Sequence, residues 1–87
     1  MGQAIPPRAI LIVEDEVFIR HDLMDFFSDR GFIAFEAEDG DEAIKIIADH
    51  PEIGIVLTDI QMKGSMDGLR LARYVRDRYP PMLIAVV

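Results

Sequence analysis

Four short runs of apolar residues divide the chain at nearly regular intervals. They cover residues 9–13, 32–37 (interrupted by Glu36), 53–57 and 82–87, and each follows polar or turn-forming residues. All four runs predict strands, and the first, in which three of five residues are β-branched, predicts a strand that is buried on both faces. The first run stops abruptly at Glu14, and the third stops shortly before Asp59.

Helical spacing appears in the segments between these runs. In residues 17–30 one apolar stripe recurs with the period of a helix, and charged residues such as Arg20 fill the opposite face. Two further helices are predicted, from Asp41, as the capping residue, to about His50 and from about Leu69 to Arg78. The stripe of the first helix consists of Ile19, Leu23, Phe26 and Phe27.

The resulting element order is β-α-β-α-β-α-β, which predicts the α/β class. Near-continuous apolar strands that alternate with amphipathic helices indicate a parallel sheet with helices on both faces. Right-handed crossovers leave few topologies. In the strand order 2-1-3-4, the first and third strands are neighbours, and sites in such sheets lie at the carboxyl ends of the strands.

Composition and charge narrow the classes of function. The 87 residues include 16 acids, nine Lys and Arg and no Cys, for a formal net charge of −7. This charge argues against direct nucleic-acid binding and against an anionic membrane surface, and the lack of Cys excludes a disulfide scaffold. The chain has no apolar stretch of membrane-spanning length and no signal peptide, so we expect a cytoplasmic protein.

Carboxylates follow the two strands that would be neighbours. Glu14 and Asp15 come after the first strand, and Asp59 comes after the third. Three such groups in one cleft repel each other, and a divalent cation would relieve the repulsion. Oxygen ligands without His or Cys favour Mg²⁺ over zinc. A carboxylate beside such an ion can attack phosphorus and form an aspartyl phosphate.

Five short motifs resemble one known family when they are taken in order. Together they are similar to the receiver domain of bacterial two-component response regulators, and the resemblance covers residues 9–87. It implies a flavodoxin-like fold. The motifs are Ile10–Glu16, Gly31–Phe32, Asp39–Ala43, Leu57–Met62 and Met66–Gly68.

The resemblance also implies a role for particular residues. Asp59 matches the phosphoacceptor, and Glu14 and Asp15 match the acidic pair that holds Mg²⁺. The main-chain carbonyl of Gln61 would be a further metal ligand. The phosphoryl donor would be a phosphohistidine on a histidine kinase or a histidine phosphotransfer protein, and the chain itself would be a regulatory domain rather than an enzyme.

The sequence departs from the family pattern at three places. Glu14 replaces a more common Asp, and Lys63 stands where a Pro usually follows the Met. The switch Ser or Thr of the family would fall just after Val87, and its Lys would fall later. We therefore expect a flexible lead-in over 1–8 and a receiver domain over 9–87 that lacks the last helix-strand-helix portion.

This shortened fold leads to a prediction about association. An uncharged fourth strand at the edge of the sheet is prone to pair with another chain. The first helix would also leave an apolar patch uncovered. We expect a homodimer or a strand-exchanged dimer if the chain ends at Val87.

Other interpretations of the same residues stay open. The chain could be a receiver-like interaction module that works without phosphorylation, or a small metal-dependent phosphohydrolase. Glu16 is interpreted as a residue of the first helical turn, and Asp67 as the cap of the third helix. His21 and His50 are expected at the surface. A row of arginines along the third helix, at positions 70, 73 and 76, is interpreted as a solvated face.

Overall fold

Strands and helices alternate in the predicted order along the described chain. The computed structural model describes residues 8–60 and 67–87, so the predicted lead-in lies outside this part except for Arg8. The longest helix has 13 residues, and no helix within these ranges combines the length and apolarity needed to cross a membrane. The elements are β1 (Ala9–Val13), α1 (Val17–Asp29), β2 (Ile33–Ala37), α2 (Gly40–Asp49), β3 (Ile53–Thr58), α3 (Gly68–Arg78) and β4 (Leu83–Val86).

The four strands form one parallel sheet in the order β2-β1-β3-β4. This arrangement confirms the predicted α/β class and the predicted strand order. At the carboxyl end of the sheet, Val13 of β1 is paired with Ala37 on one side and with Thr58 on the other. The residues that follow β1 and β3 therefore emerge side by side.

The core lies mainly on one face of the sheet. There α2 and α3 pack against the strands, and Leu11, Ile47 and Leu71 are fully buried. Since side chains alternate between the faces of a strand, Ile10 and Ile12 point to the other face, where α1 packs on β1 and β2. Both faces thus bury β1, as its continuous apolar run predicts.

Helix α1 covers its face of the sheet only partly. No residue of α1 is fully buried, and Ile19 and Phe26 of the predicted inner stripe remain about half-exposed. Leu83 and Val87, at the edge strand, are also exposed. We predict that a homodimer would cover these exposed side chains.

The beginning of α2 corrects one detail of the sequence interpretation. Asp39, not Asp41, is the capping residue, and its Oδ1 accepts a hydrogen bond of 2.8 Å from the Glu42 N–H. Glu42 accepts in turn from the Glu38 N–H at 2.7 Å. The helix begins at Gly40 because the Asp39 and Glu42 side chains satisfy the main-chain donors of Glu42 and Glu38, and Asp41 lies within the first turn.

The other helix ends follow from local chemistry. Glu16 is the capping residue of α1 rather than a residue of its first turn, and its carboxylate accepts from the Phe18 N–H at 3.1 Å. Asp67 caps α3 as predicted, through a bond of 2.9 Å from the Arg70 N–H. Gly31 follows α1 with a φ of 88°, a left-handed conformation that favours glycine.

Candidate functional site

Three carboxylates meet at the carboxyl end of the sheet. One oxygen each from Glu14, Asp15 and Asp59 lies within 4.8 Å of the other two. Strand β1 supplies the first two residues and its neighbour β3 supplies the third, as the strand order predicted. Within residues 8–60 and 67–87, these carboxylates form the one group of three or more acidic, His or Cys side chains that lie close enough together to hold a metal ion.

The donor set of this cluster fits a hard divalent cation. All three groups offer carboxylate oxygen, and oxygen ligands are what Mg²⁺ prefers. Two unit charges at about 5 Å repel each other by about 3 kcal/mol at an effective dielectric constant near 20. A cation bound between them would replace this repulsion by attraction.

The main chain holds Asp59 between two strands. Its N–H donates to the Val13 carbonyl of β1 at 3.3 Å. On the other side, Val87 donates its N–H to the Thr58 carbonyl at 3.0 Å and accepts from the Ile60 N–H at 3.1 Å. Hydrogen bonds thus fix the peptide groups on both sides of Asp59.

Gly68 brings the start of α3 against the same peptide. Its N–H donates to the Ile60 carbonyl at 3.0 Å. A Cβ atom at this position would overlap the Asp59 carbonyl oxygen and would lie 2.7 Å from the Asp59 carbonyl carbon and 2.9 Å from the Ile60 Cα. These are main-chain atoms that cannot rotate away, so the close approach requires glycine.

Burial and neighbouring negative charges shift the pKa of Glu14. Its side chain is buried, with 6% of the residue exposed, and Oε2 accepts from the Glu16 N–H at 3.0 Å. Burial raises the pKa of Glu14 above its ordinary value, and the charges of Asp59 and Asp15 raise it further against the opposing effect of the Glu16 hydrogen bond. Without a cation, the site therefore resists full ionisation.

This perturbation predicts how pH changes the stability of the metal-free chain. Because its pKa is raised on folding, Glu14 contributes stability that is complete below its unfolded value near 4.5 and is lost as pH rises through the folded-state pKa. We expect Glu14→Gln to remove this loss and to be more stable than wild type at neutral pH. Urea unfolding in EDTA from pH 4.5 to neutral pH measures the difference.

The matched control for this substitution is Glu38→Gln, at an exposed glutamate outside the cluster. It should show no such gain at neutral pH. A Glu14→Gln protein that loses stability relative to wild type as pH rises would contradict the prediction.

The structure adds Arg20 to the surroundings of the cluster. The sequence interpretation placed it on the solvated face of α1, yet its side chain is only 13% exposed. Its Nη1 donates to the Glu14 main-chain carbonyl at 2.7 Å, and its Nε donates to Glu36 Oε1 at 2.9 Å. The helical pattern in the sequence places Arg20 on the polar face of α1, but it does not identify Glu36 of β2 as its hydrogen-bond partner.

Other predicted residues lie apart from the cluster or outside the described ranges. Gln61, whose carbonyl is the fourth expected ligand, lies outside the described residues. His21 Nε2 is 4.0 Å from Glu36 Oε1. His50 Nδ1 is 3.5 Å from Glu52 Oε2, and its half-buried ring packs on Phe35. Neither histidine joins the carboxylate group.

Comparison with known proteins gives a family match over most of the chain. Residues 10–87 match the family model described as the response regulator receiver domain. The aerobic respiration control protein ArcA of Escherichia coli (strain K12) is 42% identical over 69 residues, which are 79% of this chain and 28% of ArcA. The chain spans between 16% and 40% of the length of the curated relatives that it matches.

Solved structures agree on the fold. A response regulator receiver protein from Pseudomonas putida superposes with a TM-score of 0.86 at 28% identity, over 97% of this chain and 69% of the other. The response regulator TrrA of Thermotoga maritima, in complex with Mg²⁺ and BeF, gives a TM-score of 0.82 at 32% identity, over 88% of this chain and 65% of TrrA.

Proposed function

Since the chain belongs to the family of response regulator receiver domains, we propose that it accepts a phosphoryl group on Asp59 during two-component signalling. One observation carries the proposal: the carboxylates of Glu14, Asp15 and Asp59 converge within 4.8 Å at the carboxyl end of the sheet. The receiver domain is a regulatory module, so one phosphoryl group per chain is the expected product.

The same three carboxylates would hold Mg²⁺, with the Gln61 carbonyl as the further ligand that the family resemblance implies. Bound there, the ion would neutralise negative charge on the transferring phosphoryl group. Burial raises the pKa of Glu14, and the negative charges of Asp59 and Asp15 raise it further; it is these charges that support a cation site, because a bound cation would offset their repulsion. The complex of TrrA with Mg²⁺ and BeF gives a precedent at 32% identity.

Asp59 would act as the nucleophile. A carboxylate oxygen attacks the phosphorus of a phosphohistidine, the P–N bond breaks, and the imidazole leaves with the electron pair and takes up a proton. The product is an aspartyl phosphate, a mixed anhydride. Hydrogen bonds to the peptide groups on both sides of Asp59 hold its main chain in place, which supports a positioned nucleophile.

The proposed partner is a histidine kinase or a histidine phosphotransfer protein, and the proposed compartment is the cytoplasm. Family membership and the composition of the chain support both proposals. The net charge of −7 does not favour contact with nucleic acid.

A direct phosphorylation experiment tests the proposal. The chain is incubated with acetyl phosphate and Mg²⁺, and its intact mass is measured against time. We expect a gain of one phosphoryl group that hydroxylamine removes, as an acyl phosphate requires, and that EDTA prevents. No mass gain with acetyl phosphate or with a phosphohistidine donor would contradict the proposal and favour an interaction module that works without phosphate.

A further inference from the structure

The geometry points to Arg20 and Glu36 as a positioning pair for the proposed Mg²⁺ site. We infer that the Arg20 guanidinium fixes the main chain of Glu14, so that the Glu14 carboxylate stays directed at Asp15 and Asp59 and binds the cation more tightly. The inference rests on the proposed function, because it concerns the same cluster. Neither Arg20 nor Glu36 is itself a ligand in this proposal.

Glu14 is restrained at three points. Its N–H donates to the Ala37 carbonyl of β2 at 3.0 Å, and its carbonyl accepts from Arg20 Nη1 at 2.7 Å. Its carboxylate accepts from the Glu16 N–H at 3.0 Å. Arg20 provides the restraint with a charged donor, and a charge-assisted hydrogen bond of this length is stronger than a neutral one.

Glu36 holds the guanidinium in place. It lies on β2 opposite Ile12 of β1, and its Oε1 accepts from Arg20 Nε at 2.9 Å. Arg20 therefore connects three elements: its own helix, the end of β1 and the neighbouring strand. The planar fork of arginine reaches two acceptors at once, which the single ammonium group of lysine does not reproduce in the same geometry.

Charge repulsion alone predicts that loss of Arg20 would change the Mg²⁺ affinity in the opposite direction. The direction of the measured change therefore tests the inference. A guanidinium beside a cation site repels the cation, so removal of its charge should tighten Mg²⁺ binding. If Arg20 positions Glu14, its removal should instead weaken binding. Substitution of residues that orient metal ligands commonly weakens metal affinity by about 10- to 100-fold.

The experiment compares Mg²⁺ dissociation constants from calorimetric titration of the wild type, Arg20→Ala, Arg20→Lys and Arg73→Ala. Arg73 is an exposed arginine of α3, so its variant controls for the loss of one positive charge. We expect about 10-fold weaker binding for Arg20→Ala, a smaller loss for Arg20→Lys and no change for Arg73→Ala. Circular dichroism in EDTA verifies that each variant is folded.

A second readout requires no metal. In EDTA, amide hydrogen exchange at Glu16 should be faster in Arg20→Ala than in wild type, because Glu16 donates to the carboxylate of Glu14, the residue whose main-chain carbonyl Arg20 holds. Exchange at Leu11, in the centre of β1, should stay unchanged. Should Arg20→Ala fail to fold, Glu36→Gln takes its place, with faster exchange at Glu16 and weaker Mg²⁺ binding expected.

The possible results separate this inference from the function on which it rests. Equal or tighter Mg²⁺ binding by Arg20→Ala, or unchanged exchange at Glu16, would overturn the positioning role and leave the proposed function intact. A wild-type chain that binds no Mg²⁺ would overturn both. Weaker binding together with faster exchange supports the positioning pair.

Discussion

Asp59→Asn is expected to reduce phosphoryl incorporation to background. The amide of asparagine has nearly the shape of the carboxylate but lacks a nucleophilic oxygen, so no acyl phosphate forms. The main-chain bonds on both sides of residue 59 do not involve the side chain, so the fold should persist. Intact-mass spectrometry after incubation with acetyl phosphate and Mg²⁺ measures the loss.

The matched control is Asp67→Asn. Asp67 is also an aspartate at the carboxyl edge of the sheet, but it caps α3, and asparagine caps a helix about equally well. Its phosphorylation should match wild type. Full incorporation in Asp59→Asn would assign the phosphoryl group to another residue and would contradict the proposed role of Asp59.

The same substitution should not destabilise the metal-free chain. Asp59 is one of the charges that raise the pKa of Glu14, so its neutralisation relieves repulsion within the cluster. Urea unfolding in EDTA should therefore show an Asp59→Asn protein at least as stable as wild type. A large loss of stability would show that the phosphorylation result reflects unfolding.

Gly68→Ala is expected to have the largest effect on stability. Its Cβ would overlap the Asp59 carbonyl oxygen and press on the Ile60 main chain, which hydrogen bonds hold in place. Either α3 or the segment after β3 must move. Overpacking of this kind costs about 1–3 kcal/mol and more where the neighbouring atoms cannot yield, so we expect about 3 kcal/mol less free energy of unfolding.

Leu69→Ala, at the next position of α3, provides the control. Leu69 is largely exposed, so this substitution removes more atoms than Gly68→Ala adds but should change stability by less than about 1 kcal/mol. Urea unfolding compares the two variants. Wild-type stability for Gly68→Ala would contradict the close approach of α3 to Asp59.

The fold was predictable because strand and helix periods are unambiguous over most of the chain. The apolar run of β1 is continuous, and the structure buries it on both faces. Leu71 and Val75, one turn apart, are both fully buried on α3 as their spacing indicates. Helix boundaries were less predictable, since Asp39 and Asp41 are equally suitable caps in sequence and only the hydrogen bond from the Glu42 N–H to Asp39 Oδ1 identifies Asp39 as the cap.

The part of the site that lies at the ends of strands could be predicted from the sequence. Glu14, Asp15 and Asp59 follow strands that the expected topology makes neighbours, and they meet. The contact between Arg20 and Glu36 was not predictable from the sequence. It joins a helix to a strand through two long side chains, and the spacing of residues along the chain does not indicate that these side chains meet. The closeness of Gly68 to Asp59 also depends on three-dimensional packing alone.

The central position of β1 has a consequence for how the chain folds. The pairing of β1 with β2 closes a short segment, whereas its pairing with β3 also encloses β2 and two helices, so it closes a longer loop and costs more chain entropy. A folding intermediate made of β1, α1 and β2 would contain Glu14 and Arg20 but not Asp59. The proposed phosphorylation site is therefore complete only when β3 docks, and we expect no phosphoryl transfer to a chain in which β3 has not docked.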